Sequence, residues 1–476
     1  MRTKLLPFIA CILGTQLFVT SCLKTDNEEI TYSSNALITA FALDSTALGA
    51  QYTFTIDHAQ GLIYNIDSLP KNADTLVNKI KVTTLSSQSG LFSVKSKAGT
   101  DSIVASGSVF DLSKPLAITS YAPDMKHRKT YVLEVRVHRQ NPEAMNWKHI
   151  SALPNELQGQ LKSVTMGSIH YTLSKTSGGT LKVYRNSFDN WVDAGTTVSG
   201  INELPTSLLT SGDKLLATVG DGSVYESTDG IQWTASTHFT GEVLTLVSSL
   251  PTANGIAILS YLKVEGGKNR LYTKQGLDGE ETPGIFPSNF PSKNLSFTTY
   301  KVNGAYYNIV VGRHEPAQHI TVNGSTVAVS TVWGFNGKLW LPLSSSTSTT
   351  AYCPELANPT VVYYDDKLYL FGDGMNEVYQ STTQGIAWSK VTSDGFGFPI
   401  QNWTINGFTP SIEQPEFRGR AGFTVTQDTE KEYIYLLFGS ENEVSFTEKV
   451  GNNTVNRGPY AHSAEVWRGR LNRFAF

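Results

Sequence analysis

An all-β chain, a β-sandwich followed by a six-bladed β-propeller, is the fold class that the sequence predicts, and three observations predict it. The first is composition. Only 17% of the 476 residues are charged, and 40 Gly and 21 Tyr are spread along the chain. That balance suits extended strands joined by tight turns, and no long segment carries the apolar period of a helix. The second is short apolar/polar alternation between residues 31 and 141. The third is self-similarity that fills residues 142 to 476.

The chain opens with Arg2 and Lys4, an apolar run over residues 5 to 19, and Val19-Thr20-Ser21-Cys22. A basic start, a short apolar core and small residues before a cut site are the parts of a secretory signal. The run is shorter than the roughly 20 residues that a membrane-spanning helix needs. The Val-Thr-Ser-Cys ending resembles the bacterial lipobox, which implies removal of residues 1–21 and a lipid on Cys22. Two or three acyl chains there would make membrane attachment effectively permanent. Leu23, in place of Asp, argues against retention in the inner membrane. The acidic tether Lys24-Thr25-Asp26-Asn27-Glu28-Glu29 resembles the export signal of Bacteroidota surface lipoproteins. The expected address is the outer membrane, surface-exposed, with a periplasm-facing position as the alternative.

Strands are expected around residues 37–43, 52–56, 61–66, 79–83, 91–94 and 131–137. Short strands at this density read as an immunoglobulin- or cadherin-like sandwich over residues 31–141. The Cys-Trp-Cys signature of a true immunoglobulin domain is absent, and such a module specifies no chemistry by itself. Cys11 leaves with the signal and Cys22 is lipidated, so Cys353 is left without a disulfide partner. A net charge of −3 without a long basic run argues against a nucleic-acid partner.

The repeat is clearest in two copies. Lys214-Leu215-Leu216-Ala217, Gly220-Asp221-Gly222, Val224-Tyr225-Glu226-Ser227 and Trp233 align with Lys367-Leu368-Tyr369-Leu370, Gly372-Asp373-Gly374, Val378-Tyr379-Gln380-Ser381 and Trp388. Val-Tyr-type pairs recur at 184, 225, 272, 333, 379 and 467, with spacings of 41, 47, 61, 46 and 88 residues. Such spacings fit four-stranded blades with insertions. Six copies predict six blades, and the longest gap leaves room for a seventh. Residues 169–172, 255–259, 305–311 and 433–438 are expected as inner strands. Residues 145–150 and 464–469 are expected to pair and close the ring from its two ends, which removes an exposed edge.

Ser227-Thr228-Asp229-Gly230-Ile231-Gln232-Trp233 resembles the Asp-box turn of sialidase-type propellers, where the Asp caps backbone N–H groups and the Trp packs between blades. The last repeat, with Gly419-Arg420-Ala421-Gly422-Phe423 and residues 435–439, looks kelch-like. The whole chain resembles a family of Bacteroidota lipoproteins of unknown function with a sandwich and a kelch-like propeller. Gly61-Leu62-Ile63-Tyr64-Asn65, Asp67-Ser68-Leu69-Pro70, residues 129–138 and Val466-Trp467-Arg468-Gly469-Arg470-Leu471-Asn472 carry that resemblance. It implies export and a propeller and assigns no reaction.

Tests for specific chemistry return little. The Arg-Ile-Pro motif of sialidases is absent. In His314-Glu315-Pro316-Ala317-Gln318-His319 the histidines are five apart and Pro316 breaks the helix that a zinc motif needs. No metal or cofactor is expected. Cys353 has no neighbouring His and reads as a buried, inert thiol. Asp365, Asp366 and Asp373 could support glycoside hydrolysis only if they converged. Long insertions on a rigid scaffold often carry recognition, which makes Phe398, Trp403, Arg418, Arg420, Tyr460 and His462 the candidate ligand-binding residues; the alternative is that these insertions cover a blade or wrap the propeller rim. The sequence thus points to a monomeric, non-catalytic binding module for a glycan or protein. The alternative is an enzyme acting on a polysaccharide or glycoconjugate at the propeller channel.

Overall fold

The computed structural model describes residues 31–71, 73–95, 99–138, 141–343, 349–391, 395–398, 417–450 and 452–474. Cys22, the acidic tether and Trp403 lie outside the described residues. The chain divides into two units, one up to Asn141 and one from Pro142 onward. Among the described residues no helix is long and apolar enough to cross a membrane.

Unit 1 holds β1 (Ile38–Leu43), β2 (Phe54–Asp57), β3 (Leu62–Asn65), β4 (Ile80–Ser87), β5 (Phe92–Lys95), β6 (Asp101–Val104), β7 (Val109–Phe110), β8 (Leu116–Tyr121) and β9 (Arg128–Glu134). They form a three-stranded sheet, β1-β4-β7, and a six-stranded sheet, β2-β3-β9-β8-β5-β6. One core serves both sheets, because alternate residues turn inward. Ile38, Phe41, Val82 and Leu85 from the first sheet share it with Ile63, Phe92, Ile118 and Leu133 from the second. Strands β6, β7 and β8 were not expected from the sequence. The last strand ends at Glu134 rather than Val137, which makes only a bridge to Leu69.

Unit 2 begins with β10 (Met145–Ala152). Three four-stranded antiparallel sheets follow. They are β11–β14 (Gln158–Met166, Ile169–Lys175, Leu181–Asn186, Thr196–Thr197), β15–β18 (Ser207–Ser211, Lys214–Thr218, Val224–Ser227, Thr234–Ala235) and β19–β22 (Val243–Leu250, Ile258–Glu265, Lys268–Gln275, Thr282–Pro283). The fourth sheet contains β23 (Lys293–Val302), β24 (Ala305–Arg313), β27 (Thr331–Phe335) and β28 (Trp340–Pro342), with the hairpin β25–β26 (Gln318–Val322, Ser325–Val329) inserted in it. The fifth is β29–β32 (Thr360–Tyr364, Lys367–Phe371, Tyr379–Ser381, Ser389–Lys390). The sixth contains β33 (Phe423–Asp428), β34 (Tyr433–Phe438) and β37 (Glu465–Leu471), and its fourth strand is β10. A second hairpin, β35–β36 (Glu441–Val450, Asn453–His462), is inserted between β34 and β37.

β10 pairs antiparallel with β37, from Met145 opposite Leu471 to Ala152 opposite Glu465. The last sheet therefore takes strands from both ends of the unit. First strands of neighbouring sheets touch in chain order from β11 through β15, β19 and β23 to β29. β33 meets β11 and reaches β29 through Gln427 Nε2, which donates to Tyr363 O at 3.0 Å. The six sheets thus form a closed ring. The segments expected as inner strands fall on β12, β24 and β34, and the expected 255–259 overlaps β20 only at Ile258 and Leu259; these strands stand second from the centre. Their dense apolar character comes from burial on both faces, as at Leu436, Leu437 and Phe438.

The turns before Trp233 and Trp388 are held by short-range hydrogen bonds. Asp229 Oδ1 accepts from the N–H groups of Ile231 and Gln232 at 2.8 and 3.0 Å. Ser227 Oγ accepts from Gly230 N at 2.9 Å, and Trp233 Nε1 donates to Gly230 O at 2.9 Å. Trp233 then packs with Tyr171, Leu173 and Val183 of the preceding sheet. The other strong copy repeats the arrangement: Gly385 N donates to Ser381 Oγ, and Trp388 Nε1 donates to Gly385 O at 3.0 Å.

Candidate functional site

The first strands β11, β15, β19, β23, β29 and β33 surround a cavity of about 860 Å3 on the ring axis. Their sequences are rich in Ser and Thr because each is squeezed between two neighbouring sheets, where a short hydroxyl fits and can bond sideways. Ser163 Oγ lies 2.6 Å from Thr424 Oγ1, and Thr165 Oγ1 lies 3.0 Å from Thr426 Oγ1. Ser207 Oγ accepts from Leu246 N at 3.1 Å. Ser296 Oγ and Thr298 Oγ1 accept from Val361 N and Tyr363 N at 2.9 and 3.2 Å. These hydroxyls stitch one sheet to the next.

Polar side chains remain along the wall. Gln160, Lys162, Asn294 and Asn358 line the cavity, and no Asp or Glu does so among the described residues. In an antiparallel sheet the connection from second to third strand lies at the end where the first strand starts. Gly220, the loop with Asp373 and both inserted hairpins therefore belong to one end of the ring, with Gln160, Asn294 and Asn358.

Two charges act on each other through space in this region. Burial pulls the Lys162 ammonium below its ordinary pKa, and the Asp373 carboxylate acts in the opposite direction. Burial pushes Asp373 up to about 6, against a hydrogen bond from Asn358; Glu441 raises it further, and Lys162 lowers it. Asn358 Nδ2 donates to Asp373 Oδ2 at 2.6 Å.

The root of the second hairpin is a buried ion cluster. Arg420 is 0% exposed. Its guanidinium pairs with Glu441 and Glu465 and donates to Gly439 O at 2.8 Å and Ser463 O at 3.1 Å. Glu441 Oε1 also accepts from the N–H groups of Ala421 and Gly422, each at 3.0 Å. Burial lowers the pKa of His462, and Arg420 lowers it further, against Glu465 and Glu441.

The residues proposed from sequence separate accordingly. Arg420 is spent on holding the hairpin and offers nothing to a ligand, because all its charge is compensated inside the protein. Phe398 is half-buried and packs 5.9 Å from Trp147, 5.2 Å from Phe371 and 5.8 Å from Phe417, against the core between the fifth and sixth sheets. Phe396, Phe398 and Phe417 pack on Trp147 of the edge strand β10, the covering role that was the alternative to recognition for this insertion. Arg418 and Tyr460 come together on the hairpin, through Phe446: the guanidinium sits 4.7 Å over that ring and Tyr460 lies 6.3 Å from it. His462 is half-buried nearby. The cavity wall itself was missed. Its signal was the alternation of hydroxyl residues in residues 206–211, 296–300 and 424–426.

Cys353 is buried, which pushes its thiol well above the ordinary value. His314 Nδ1 is 2.9 Å from Phe290 O, in the turn before the hairpin that carries His319.

Among solved structures, the chain is similar to a lectin from Aleuria aurantia in complex with Fucalpha1-6GlcNAc, at 11% identity, a TM-score of 0.35, and cover of 64% of this chain and 97% of that one. It is similar to a gluconolactonase from Xanthomonas campestris at 9% identity and TM-score 0.37, covering 67% and 88%. The WD40 domain of Toxoplasma gondii coronin matches at 9% identity and TM-score 0.35, covering 69% and 87%. No curated protein matches the sequence. The DUF6242 N-terminal domain, a domain of unknown function, matches residues 23–135, and the DUF6242 beta propeller domain matches residues 141–476. Unit 2 is a β-propeller, and the chain belongs to the DUF6242 family.

Proposed function

We propose that this protein is a non-catalytic binding module, anchored to the outer membrane through a lipid on Cys22 and displayed at the cell surface. In this reading each four-stranded sheet is one blade, six in all, with a kelch-like last blade. Unit 1 is a sandwich that spaces the propeller from the anchor. The ligand, a glycan or a protein, sits at the ring end that carries the two hairpins, with Arg418, Tyr460 and His462 at its margin.

One observation favours binding over hydrolysis of a polysaccharide. The polar groups on the cavity wall are hydroxyls, amides and lysines, set among apolar residues and without a carboxylate among the described residues. Glycoside hydrolysis ordinarily requires two carboxyl groups flanking the scissile bond. A volume of about 860 Å3 falls in the range of small-ligand sites.

A glycan array and a crosslinking pull-down with the chain from residue 31 onward should give a specific ligand, lost on blocking the hairpin end. Silence in both would overturn the reading. Protease shaving of intact cells should remove the protein, and full protection would place it inside. Labelling with a palmitate analogue should mark the wild type and spare Cys22→Ser. Light scattering should give a monomer mass.

A further inference from the structure

Away from the channel, β37 carries two guanidinium groups that no carboxylate serves. Trp467 and Leu471 of this strand pack into the core between the fifth and sixth sheets, so Arg468 and Arg470 leave it on the opposite face. Both are partly exposed, and both stack on one ring. The guanidinium of Arg468 lies 4.2 Å and that of Arg470 4.5 Å from the centre of Tyr433. Lys148 stands opposite Arg468 across the β10–β37 ladder, which puts its exposed side chain on the same face.

Among the described residues none of these three cations has an ion pair, and the nearby acids are engaged elsewhere. Asp428, opposite Tyr433 in the β33–β34 ladder, accepts from the N–H groups of Glu430 and Lys431 at 3.1 Å each. Lys431 reaches Asp428 at 4.0 Å and Asp189 at 3.9 Å. Beside Arg468 is a neutral hydroxyl, that of Tyr435, whose pKa burial raises and Arg468 lowers. A lysine on an edge strand is ordinary protection against strand pairing, and Lys148 alone would need no other account. Arg468 and Arg470, however, stand on β37, which has a strand on each side. Two like charges against one ring repel each other. Stacking on Tyr433 offsets part of that cost and holds both planar forks in place before a ligand arrives.

We infer that this face binds a glycan through sulfate or phosphate monoester groups. The donors select the class. A carboxylate, or the phosphodiester of a nucleic acid, has two free oxygens, which one guanidinium fork fills. A monoester keeps three, so two forks and the Lys148 ammonium can share it. Asn146, exposed and opposite Arg470, adds an amide that suits sugar hydroxyls. The turn from β33 to β34 and the last residues of β37 lie at the end of the ring opposite the two hairpins. The site is therefore separate from the hairpin-end site and goes beyond the binding reading given above.

Calorimetry on the full chain tests this with a sulfated dextran oligomer, a phosphorylated dextran oligomer and an oligogalacturonate of equal length. At least one ester-bearing oligomer should bind about tenfold or more tightly than the oligogalacturonate, and the preferred oligomer identifies the ester. Arg468→Gln with Arg470→Gln should remove that preference while keeping aliphatic cover over Tyr433. Arg468→Lys with Arg470→Lys keeps the charge without the forks and should remove the preference too. Lys148→Gln, on the exposed edge strand, should weaken ester binding severalfold at an unchanged melting temperature, a readout independent of any loss of fold in the arginine variants. No preference for either ester, a preference undiminished in either double variant, or unchanged ester affinity in Lys148→Gln would overturn the proposal.

Discussion

Gly230 sits at φ 73° in the turn before Trp233, and a Cβ there would lie 2.8 Å from Tyr171 Cδ1. Both the backbone conformation and the close approach demand glycine. Gly230→Ala is expected to cost about 2–4 kcal/mol, read by urea denaturation, since strain and overpacking add. His170 illustrates a second residue-scale effect. It is buried against Phe188 and stacked on Trp191, and burial lowers its pKa to about 4, with Asp428 acting the other way. A depressed folded-state pKa means that the unfolded chain takes up the proton first. The His170 contribution is complete above about 6.5 and is lost as pH falls toward 4. Asp373 has the opposite sign, because its raised value makes its share present at low pH and lost as pH rises through about 6. In an Asp373→Asn background, stability should therefore fall from pH 6.5 to 4, and adding His170→Gln should flatten that fall. Arg420→Met should cost about 3–5 kcal/mol, because it strands Glu441 and Glu465 at the hairpin root. A loss below 1 kcal/mol would show that water reaches the pair.

At the scale of elements, the first strands do two jobs with one residue type. Thr298 and Ser296 on β23 accept backbone N–H groups of β29, so a hydroxyl replaces the ladder bond that two non-adjacent edges cannot make. Thr298→Val keeps the shape and leaves Tyr363 N–H without its acceptor, at an expected cost of about 1–3 kcal/mol. Amide exchange at Tyr363 should quicken in that variant, and unchanged protection would show that the bond carries no weight. The insertions follow the same logic. The 61- and 88-residue spacings contain hairpins β25–β26 and β35–β36, each between the second and third strands of its sheet. At that point a loop can lengthen without disturbing the pairing of the first strand.

For the whole molecule, closure is the decisive contact. β10 lies between the end of unit 1 and β11, and it completes the sheet built from the last residues of the chain. The ring thereby pairs strands more than about 300 residues apart in sequence, a long-range pairing with a large loop-closure cost. Removing residues 465–476 deletes strand β37 and separates β10 from β34. The truncated chain should lose the unit 2 melting transition while unit 1, with its own core, still melts cooperatively. An unchanged unit 2 transition would exclude a closing role for β37.

Periodicity by itself determined the all-β class and the ring of repeats, because alternation and recurring Val-Tyr and Trp positions are properties of the local chain. It also located the Asp229 turn, whose bonds span only three residues. The first strands escaped notice because Ser and Thr look like loop residues until neighbouring sheets surround them. Arg420 and Phe398 looked like surface groups for a related reason. Their partners, Glu441, Glu465 and Trp147, are distant in sequence and reach them only after the ring has closed. The same holds for the candidate site: Lys162 lies on the first sheet, whereas Asn358 and Asp373 flank strands of the fifth, and only tertiary structure brings the two sheets together.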